Sequence, residues 1–318
     1  MRRGPFGHAT STGLAAMPVK GVHMSCVTTI QKGALTAKVS SLGAELQSLT
    51  LDGREYLWQA DPAFWGKHAP VLFPIVGSIR NDYAESAEGP CHMGRHGVAR
   101  INEHELVSVS EDGSSVTYEL VSNDETRAQY PYDFKLNMTY AITGPATLTQ
   151  TFRVENTGSV VLPFSVGGHP AFNVPVEGTD EAYEDYEFRF VEPWTADCPK
   201  LVEGGLATYQ DTFRTVDGSD TLPLTRDIFR FDTMILDHVP GDTLSLVGTK
   251  SGHGIRIDFA GFDFVGVWAA PGAPFVALEP WTGHTTLDTE DDVLEHKENI
   301  TMLEPGAVDE RSFDITLL

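Results

Sequence analysis

Four segments of the chain are rich in residue types that do chemistry and that strands do not need. They are residues 64–77, 94–100, 164–173 and 275–283, and each combines glycine or proline with a histidine, a basic residue or a carboxylate. Glycine permits the close approach of backbone or ligand, and proline stiffens the adjacent chain. The segments are therefore candidates for a site built at irregular strand ends.

His169 and Glu279 are the candidates for acid–base chemistry. His169 lies between two glycines and a proline, which indicates a fixed imidazole, although an ordinary turn histidine is the alternative. Glu279 lies in an otherwise apolar segment, so it is either the outward residue of an alternating strand or a buried carboxyl group with a raised pKa. A carboxylate and an imidazole can both titrate near neutral pH, and each positioned proton transfer contributes roughly 10²–10⁴-fold to a rate.

A metal site is a second possibility, because Cys91, His92 and His96 lie close together in the sequence. Two histidines four residues apart share one face of a helix, but Gly94 and Gly97 disfavour a helix here. The chain also lacks a phosphate-binding loop, a dinucleotide fingerprint and a nucleophile elbow. We therefore expect neither a metal nor a cofactor.

Period-two alternation dominates the chain beyond residue 27 and predicts half-buried strands. Clear examples are residues 116–120, 134–142, 148–154, 255–259 and 313–317. Helical patterns are confined to short candidates at residues 61–66 and 123–129, each beginning at an Asp or Asn cap. The pattern predicts an all-β fold, a large antiparallel β-sandwich, formed as one domain by residues 27–318.

Composition limits the partners. The 318 residues include 22 Lys and Arg against 45 Asp and Glu, a formal net charge of −23, which disfavours nucleic acid and anionic lipid. The apolar runs are too short to span a bilayer, and three unpatterned cysteines favour a reducing cytoplasm. We interpret residues 1–26 as a disordered extension, with Met24 as a possible true start, and expect a monomer or homodimer.

The four segments, in their order along the chain, resemble the aldose 1-epimerase (galactose mutarotase-like) family, and its LacX-like branch in particular. The resemblance rests on residues 65–77, on His96-Gly97, on residues 168–172 and on residues 279–281. It implies a galactose mutarotase-like supersandwich whose concave face holds a monosaccharide. It also implies cofactor-free interconversion of the α- and β-anomers of a free aldose.

The resemblance also implies roles for individual residues. Glu279 would take the proton of the anomeric hydroxyl, and His169 would give a proton to the ring oxygen. This assigns the acid limb of a bell-shaped pH profile to Glu279 and the alkaline limb to His169. His96 would hydrogen-bond the sugar, and Arg80 lies near the family's substrate-binding arginine, although its surroundings depart from the family pattern.

Asp232 resembles the aspartate that holds sugar hydroxyls, with Asp237 as a rival for that role. Two alternatives to the free-aldose epimerase stay open. One is a non-catalytic carbohydrate-binding or regulatory protein on the same sandwich. The other is a hexose-6-phosphate 1-epimerase, which would need Arg or Lys at the cavity to hold a phosphate.

Overall fold

The computed structural model describes residues 25–318, and these form an almost entirely antiparallel β structure. The strands, in chain order, are β1 (Val27–Lys32), β2 (Leu35–Ser40), β3 (Leu46–Leu51), β4 (Arg54–Glu55), β5 (Val71–Leu72), β6 (Tyr83–Ala84), β7 (Cys91–His92), β8 (Glu105–Val109), β9 (Ser115–Val121), β10 (Phe134–Ile142), β11 (Thr147–Asn156), β12 (Leu162–Phe164), β13 (Gly167–Gly168), β14 (Ala171–Asn173), β15 (Tyr186–Val202), β16 (Leu206–Pro223), β17 (Met234–Asp237), β18 (Thr243–Gly248), β19 (Gly254–Asp258), β20 (Phe264–Trp268), β21 (Phe275–Trp281), β22 (Thr301–Leu303) and β23 (Val308–Leu317). Residues 1–24 of the predicted extension lie outside the described residues.

The largest sheet has nine strands in the order β16-β15-β18-β19-β23-β11-β10-β9-β8. Its centre follows the predicted alternation, because every second residue of β10, beginning at Phe134, is buried. In the β10–β11 ladder Leu136 lies opposite Val154, so apolar partners meet on the inner face. The predicted all-β sandwich is confirmed here by strands that bury one face each.

A second sheet positions the candidate site. Its strand order is β17-β20-β21-β13-β5, with β14 also paired to β21. All seven residues of β21 are buried, because this strand is covered on both faces. A third sheet, β1-β2-β3-β4, and two short pairs, β12-β22 and β6-β7, complete the described strands.

The main hydrophobic core joins inward residues of all three larger sheets. Ile30, Leu136 and Leu278 belong to this one cluster, which extends along the chain to Leu317. The three sheets are therefore held together by a shared apolar interior. The prediction of a single domain over residues 27–318 stays a prediction.

The two predicted helices have different outcomes. The second is confirmed as α1 (Asp124–Arg127), where the Asn123 side chain accepts hydrogen bonds from the second and third amides of the helix. The first prediction is wrong, because residues 61–66 form a turn in which Phe64 and Trp65 both donate to the carbonyl of Asp61. The carbonyl of Trp65 instead accepts from the Trp58 indole, so it supports a side-chain contact and not a further helical turn.

The remaining helical pieces are short 3₁₀ turns: Arg80–Asp82, Ala99–Ile101, Tyr183–Asp185, Glu203–Gly205, Arg226–Phe229, Pro240–Asp242 and Leu294–His296. Between residues 25 and 318, none of the helices has the length and apolarity that crossing a membrane requires.

Candidate active site

A cavity of about 280 Å³ opens against the centre of the second sheet. All four of the chemistry-bearing sequence segments contribute side chains to its wall. Trp65 comes from residues 64–77, and the other three segments are residues 94–100, 164–173 and 275–283. The lining comprises Trp65, Gly77, Arg95, His96, Arg100, His169, Leu201, Gly205, Asp232, Thr233, Ile235, Trp268, Glu279, Trp281 and Thr285. The cavity therefore collects charged, imidazole and aromatic groups in one place.

Glu279 reaches the cavity from the central strand β21. Val276 and Leu278 of this strand face the main core, whereas Glu279 and Trp281 line the cavity, as alternation requires. The carboxyl group is only 1% exposed. Of the two sequence interpretations of Glu279, the structure shows the buried one.

His169 is held at a break between two short strands. The strand β13 before it and the strand β14 after it both pair with β21, and the His169 amide donates to the carbonyl of Pro70. A Cβ atom on Gly168 would lie 2.7 Å from the ring of Phe313. The glycine and proline of the motif therefore bring His169 close to the sheet and fix its direction, as the sequence indicates.

The two groups meet in the cavity, with His169 Nε2 lying 3.3 Å from Glu279 Oε2. The pKa of His169 is lowered to about 3, mainly by burial and in smaller part by the positive charges of Arg100 and Arg95, while the residue's own main chain partly opposes the shift. Burial raises the pKa of Glu279 well above its ordinary value; the Trp281 indole opposes this and Asp232 adds to it. Both shifts favour the uncharged forms.

His96 presents one defined nitrogen to the cavity. Its Nδ1 accepts from the amide of Gly77, and its own amide donates to the carbonyl of Gly77. A neutral ring that accepts at Nδ1 carries its proton on Nε2, and burial keeps the pKa of His96 well below its ordinary value. The next residue, Gly97, has a φ of 71°, and a Cβ atom there would lie 2.4 Å from the Phe73 carbonyl oxygen. His96 is thus a fixed hydrogen-bond donor.

Aromatic rings form one wall of the cavity. The Trp65 indole stacks on the His169 imidazole, with centroids 4.8 Å apart and planes 23° apart. Trp268 meets both rings nearly edge-on, and Trp281 also lines the cavity. Such faces can cover the apolar side of a sugar ring.

Asp232 lines the cavity, whereas its rival Asp237 does not. Asp237 faces a separate cavity that also contains Tyr209 and Phe264. Asp232 has a φ of 73°, a backbone conformation that aspartate adopts more readily than most residues. The structure therefore brings Asp232, and not Asp237, to Glu279 and His169.

The structure does not bring Arg80, the predicted substrate-binding arginine, to this cavity. Its Nε donates to both carboxylate oxygens of Asp292, each at 3.0 Å. One terminal nitrogen donates to the carbonyls of Leu287, Asp288 and Glu290. These bonds occupy the guanidinium in holding the loop that contains Asp292.

Arg95 and Arg100 are the arginines that line the cavity. Arg95 Nε donates to the hydroxyl of Ser78, and the buried Nε of Arg100 has no hydrogen-bond partner among the described residues. Neither arginine forms a salt bridge within residues 25–318. Both lie close to His96 in the sequence, but nearness in sequence alone does not distinguish them from Arg80.

The residues considered as metal ligands do not converge. Cys91 is buried, and His92 is exposed beside Tyr83 with the two rings 5.1 Å apart, whereas His96 lines the cavity. Over the part of the chain that the structure describes, no group of three or more His, Cys, Asp or Glu side chains is placed to hold a metal ion.

Known proteins resemble this chain over most of its length. The sequence profile described as aldose 1-epimerase matches residues 25–291. The plasmid protein LacX of Lactococcus lactis subsp. lactis is 40% identical over 294 residues, which cover 89% of this chain and 97% of LacX. The structure of a galactose mutarotase related enzyme from Lactobacillus acidophilus superposes with a TM-score of 0.86 at 31% identity, covering 92% of this chain and 97% of that one. A galactose mutarotase-like protein from Lactobacillus casei ATCC 334 gives 0.81 at 29% identity, covering 92% and 100%.

Proposed function

Because the chain belongs to the aldose 1-epimerase family, we propose that it interconverts the α- and β-anomers of an aldose. The observation that carries the proposal is the Glu279–His169 pair, whose oxygen and nitrogen lie 3.3 Å apart in a cavity of about 280 Å³. Ring opening needs one group that takes a proton and one that gives a proton. This pair supplies both at one place.

In the proposed reaction Glu279 takes the proton of the anomeric hydroxyl, while His169 gives its proton to the ring oxygen. The bond between the anomeric carbon and the ring oxygen breaks, and the anomeric carbon becomes an aldehyde. Rotation of the aldehyde presents its other face to the released hydroxyl. On closure the released hydroxyl attacks the aldehyde carbon and gives its proton back to His169, while Glu279 gives its proton to the carbonyl oxygen. The sugar leaves as the other anomer, and both residues are restored.

The electrostatics of the free protein set the starting state of this reaction. Since burial raises the pKa of Glu279 and lowers that of His169, the one proton that the pair shares lies on Glu279. Ring opening requires the same proton to lie on His169. The reactive form therefore has the same number of protons as the resting form and differs only in which residue holds one of them.

Four further side chains would orient the sugar. His96 would donate from Nε2 to a sugar oxygen, because its Nδ1 is already engaged by Gly77. Asp232 would accept from hydroxyl groups, and the faces of Trp268 and Trp281 would cover apolar ring surface. Positioning of this kind is what places the reacting atoms between the acid and the base.

A phosphorylated aldose is a second candidate substrate, and Arg95 and Arg100 are the observation that favours it. Both guanidinium groups line the cavity, and neither has an acidic partner among residues 25–318. A phosphate is a strong acceptor for such groups. The net charge of −23 would oppose its approach at long range, so the two arginines would have to act at contact distance.

The test is anomer exchange, followed by polarimetry and by saturation-transfer NMR on a panel of free and 6-phosphorylated aldoses. We expect protein-dependent exchange well above the buffer-catalysed rate for at least one member of the panel. Saturable binding without any exchange would instead identify a carbohydrate-binding or regulatory protein. Cytoplasmic location and a monomeric or homodimeric state remain predictions.

A further inference from the structure

The contact that distinguishes His169 from the other buried histidines is the face of Trp65. The indole and imidazole planes are 23° apart, with centroids 4.8 Å apart. Two other rings also touch His169, namely His96 and Trp268, but both meet it nearly perpendicular. Trp65 alone among these three neighbours is stacked face to face with the imidazole.

Trp65 is itself held in place from behind. Its carbonyl oxygen accepts from the Trp58 indole at 2.8 Å, and its ring packs against Phe275 and Trp268. The stacking therefore belongs to a fixed aromatic cluster. An indole fixed in this way can direct its electron-rich face at one chosen position.

The groups around His169 indicate what the Trp65 ring face does. Nε2 lies beside Glu279, while Nδ1 is buried without a hydrogen-bond partner among the described residues. Arg95 and Arg100 both oppose a positive charge on the ring, and the neutral His96 ring meets it nearly perpendicular. Two neighbouring groups can therefore stabilise a protonated His169 ring. They are the Glu279 carboxylate and the ring face of Trp65.

We propose that Trp65 is a positioning residue that holds the His169 imidazole face-on and favours its protonated form. An aromatic face attracts a cation through its quadrupole, and the attraction grows when water is excluded. The proposal rests on the proposed function in one respect, which is that His169 acts as the proton donor. The contact itself can be tested without any sugar.

The first test compares Trp65→Leu with Trp65→Phe by NMR titration of the His169 ring, assigned with His169→Asn. The two variants open similar space to water, but only phenylalanine keeps an aromatic face. We expect His169 in Trp65→Leu to titrate about 0.5 to 1.5 pH units below its value in Trp65→Phe. An equal or higher value in Trp65→Leu would overturn the proposal, since water entry alone raises the pKa of a buried histidine.

The second test keeps the fold by replacing Trp65 alone with tryptophan analogues that carry one to three ring fluorines. Fluorine withdraws electron density from the ring face with little change in size. We expect kcat/KM for anomer exchange to fall stepwise, by roughly two- to fivefold per analogue, and the same analogues at Trp194, which contacts Phe190 outside the cavity, to leave it unchanged. A flat series at position 65 would contradict the proposal. If no analogue and no wild-type protein exchanges anomers, the proposed function fails while the NMR titration still decides the role of Trp65.

Discussion

The nine-stranded sheet and the cavity wall bury polar atoms in opposite ways. On the inner face of β10 the buried side chains are apolar, and the one hydroxyl, that of Tyr140, donates to the carbonyl of Ala44 at 2.7 Å. In the cavity wall His169 Nδ1, Glu279 Oε2, Trp281 Nε1 and Arg100 Nε are all buried without hydrogen-bond partners among residues 25–318. Unpaired buried polar atoms lower the stability of a fold. Four such atoms in the wall of one cavity indicate that this wall is arranged for a ligand.

The sheet has two exceptions: Trp194, whose Nε1 is buried without a partner in the described structure, and Gln150. The side-chain amide of Gln150 is buried, and neither its oxygen nor its nitrogen has a partner in the described structure. It lies opposite Tyr140 on one side and Phe313 on the other, and the Phe313 ring contacts Gly168. Gln150 therefore lies on the side of the sheet that supports the His169 segment.

The largest expected effect is on turnover in Glu279→Gln. Glutamine keeps the shape of the side chain but cannot take a proton, so we expect at least a roughly 10²-fold loss of kcat with sugar binding largely kept. Anomer exchange and sugar titration would measure both. The matched control in the sheet is Glu119→Gln, which should retain normal turnover; near-normal turnover in a folded Glu279→Gln protein would remove Glu279 from the mechanism.

Leu136→Ala should show the reverse pattern in the sheet. Leu136 is fully buried in β10, and truncation of such a side chain lowers the free energy of unfolding by about 2–5 kcal/mol. Urea denaturation would measure this loss, and we expect kcat per folded molecule to change little. A large loss of kcat with unchanged stability would show that the two regions are not separable in this way.

A smaller effect, on KM, is expected when arginines are replaced. It distinguishes an arginine that lines the cavity from one that lies outside it. For a phosphorylated aldose, Arg100→Gln should raise KM roughly tenfold or more, because a charged hydrogen bond is lost. Arg80→Gln should leave KM unchanged, since Arg80 is bonded to Asp292 outside the cavity. Steady-state kinetics with free and phosphorylated sugars would test this, and equal effects of the two variants would contradict the placement of the anion.

Removal of metal ions should not change the rate of anomer exchange. The proposed proton transfers use only Glu279 and His169, so prolonged treatment with a chelator should leave the rate of anomer exchange unchanged. Loss of activity together with release of a stoichiometric metal would instead turn attention to Cys91, His92 and His96.

The sequence predicts the strands and the placement of Glu279 and His169 in one site better than it predicts the positions of the arginines. Alternation has a period that a chain can display by itself, so β10 and β11 follow from their residues. The glycine–proline setting of His169 and the apolar setting of Glu279 are equally local. The position of Arg100 depends instead on how residues 94–100 fold back onto the Phe73 segment, where the Val98 amide donates to the carbonyl of Phe73. That of Arg80 depends on its bonds to the distant Asp292.

Sequence also could not decide between the two aspartates or assign the two limbs of the pH profile, because both depend on the folded structure. Asp232 and Asp237 are five residues apart, and only the sheet shows that they face different cavities. The sequence assigns the acid limb to Glu279 and the alkaline limb to His169. Burial exchanges this order, since the pKa of His169 is lowered to about 3 and that of Glu279 is raised, and the extent of burial is a property of the folded chain.

The most direct test of the account is the pH dependence of anomer exchange in wild type and His169→Asn, after subtraction of the buffer-catalysed rate. For wild type we expect a bell, because the pair must carry one proton and loses activity when it carries two or none. In His169→Asn the residual activity should be much lower and should lack the alkaline limb. Its remaining acid limb should lie at higher pH than in wild type, since it then reports the raised pKa of Glu279. An alkaline limb that persists unchanged in His169→Asn would contradict the assignment of His169 as the acid and make His96 the first candidate.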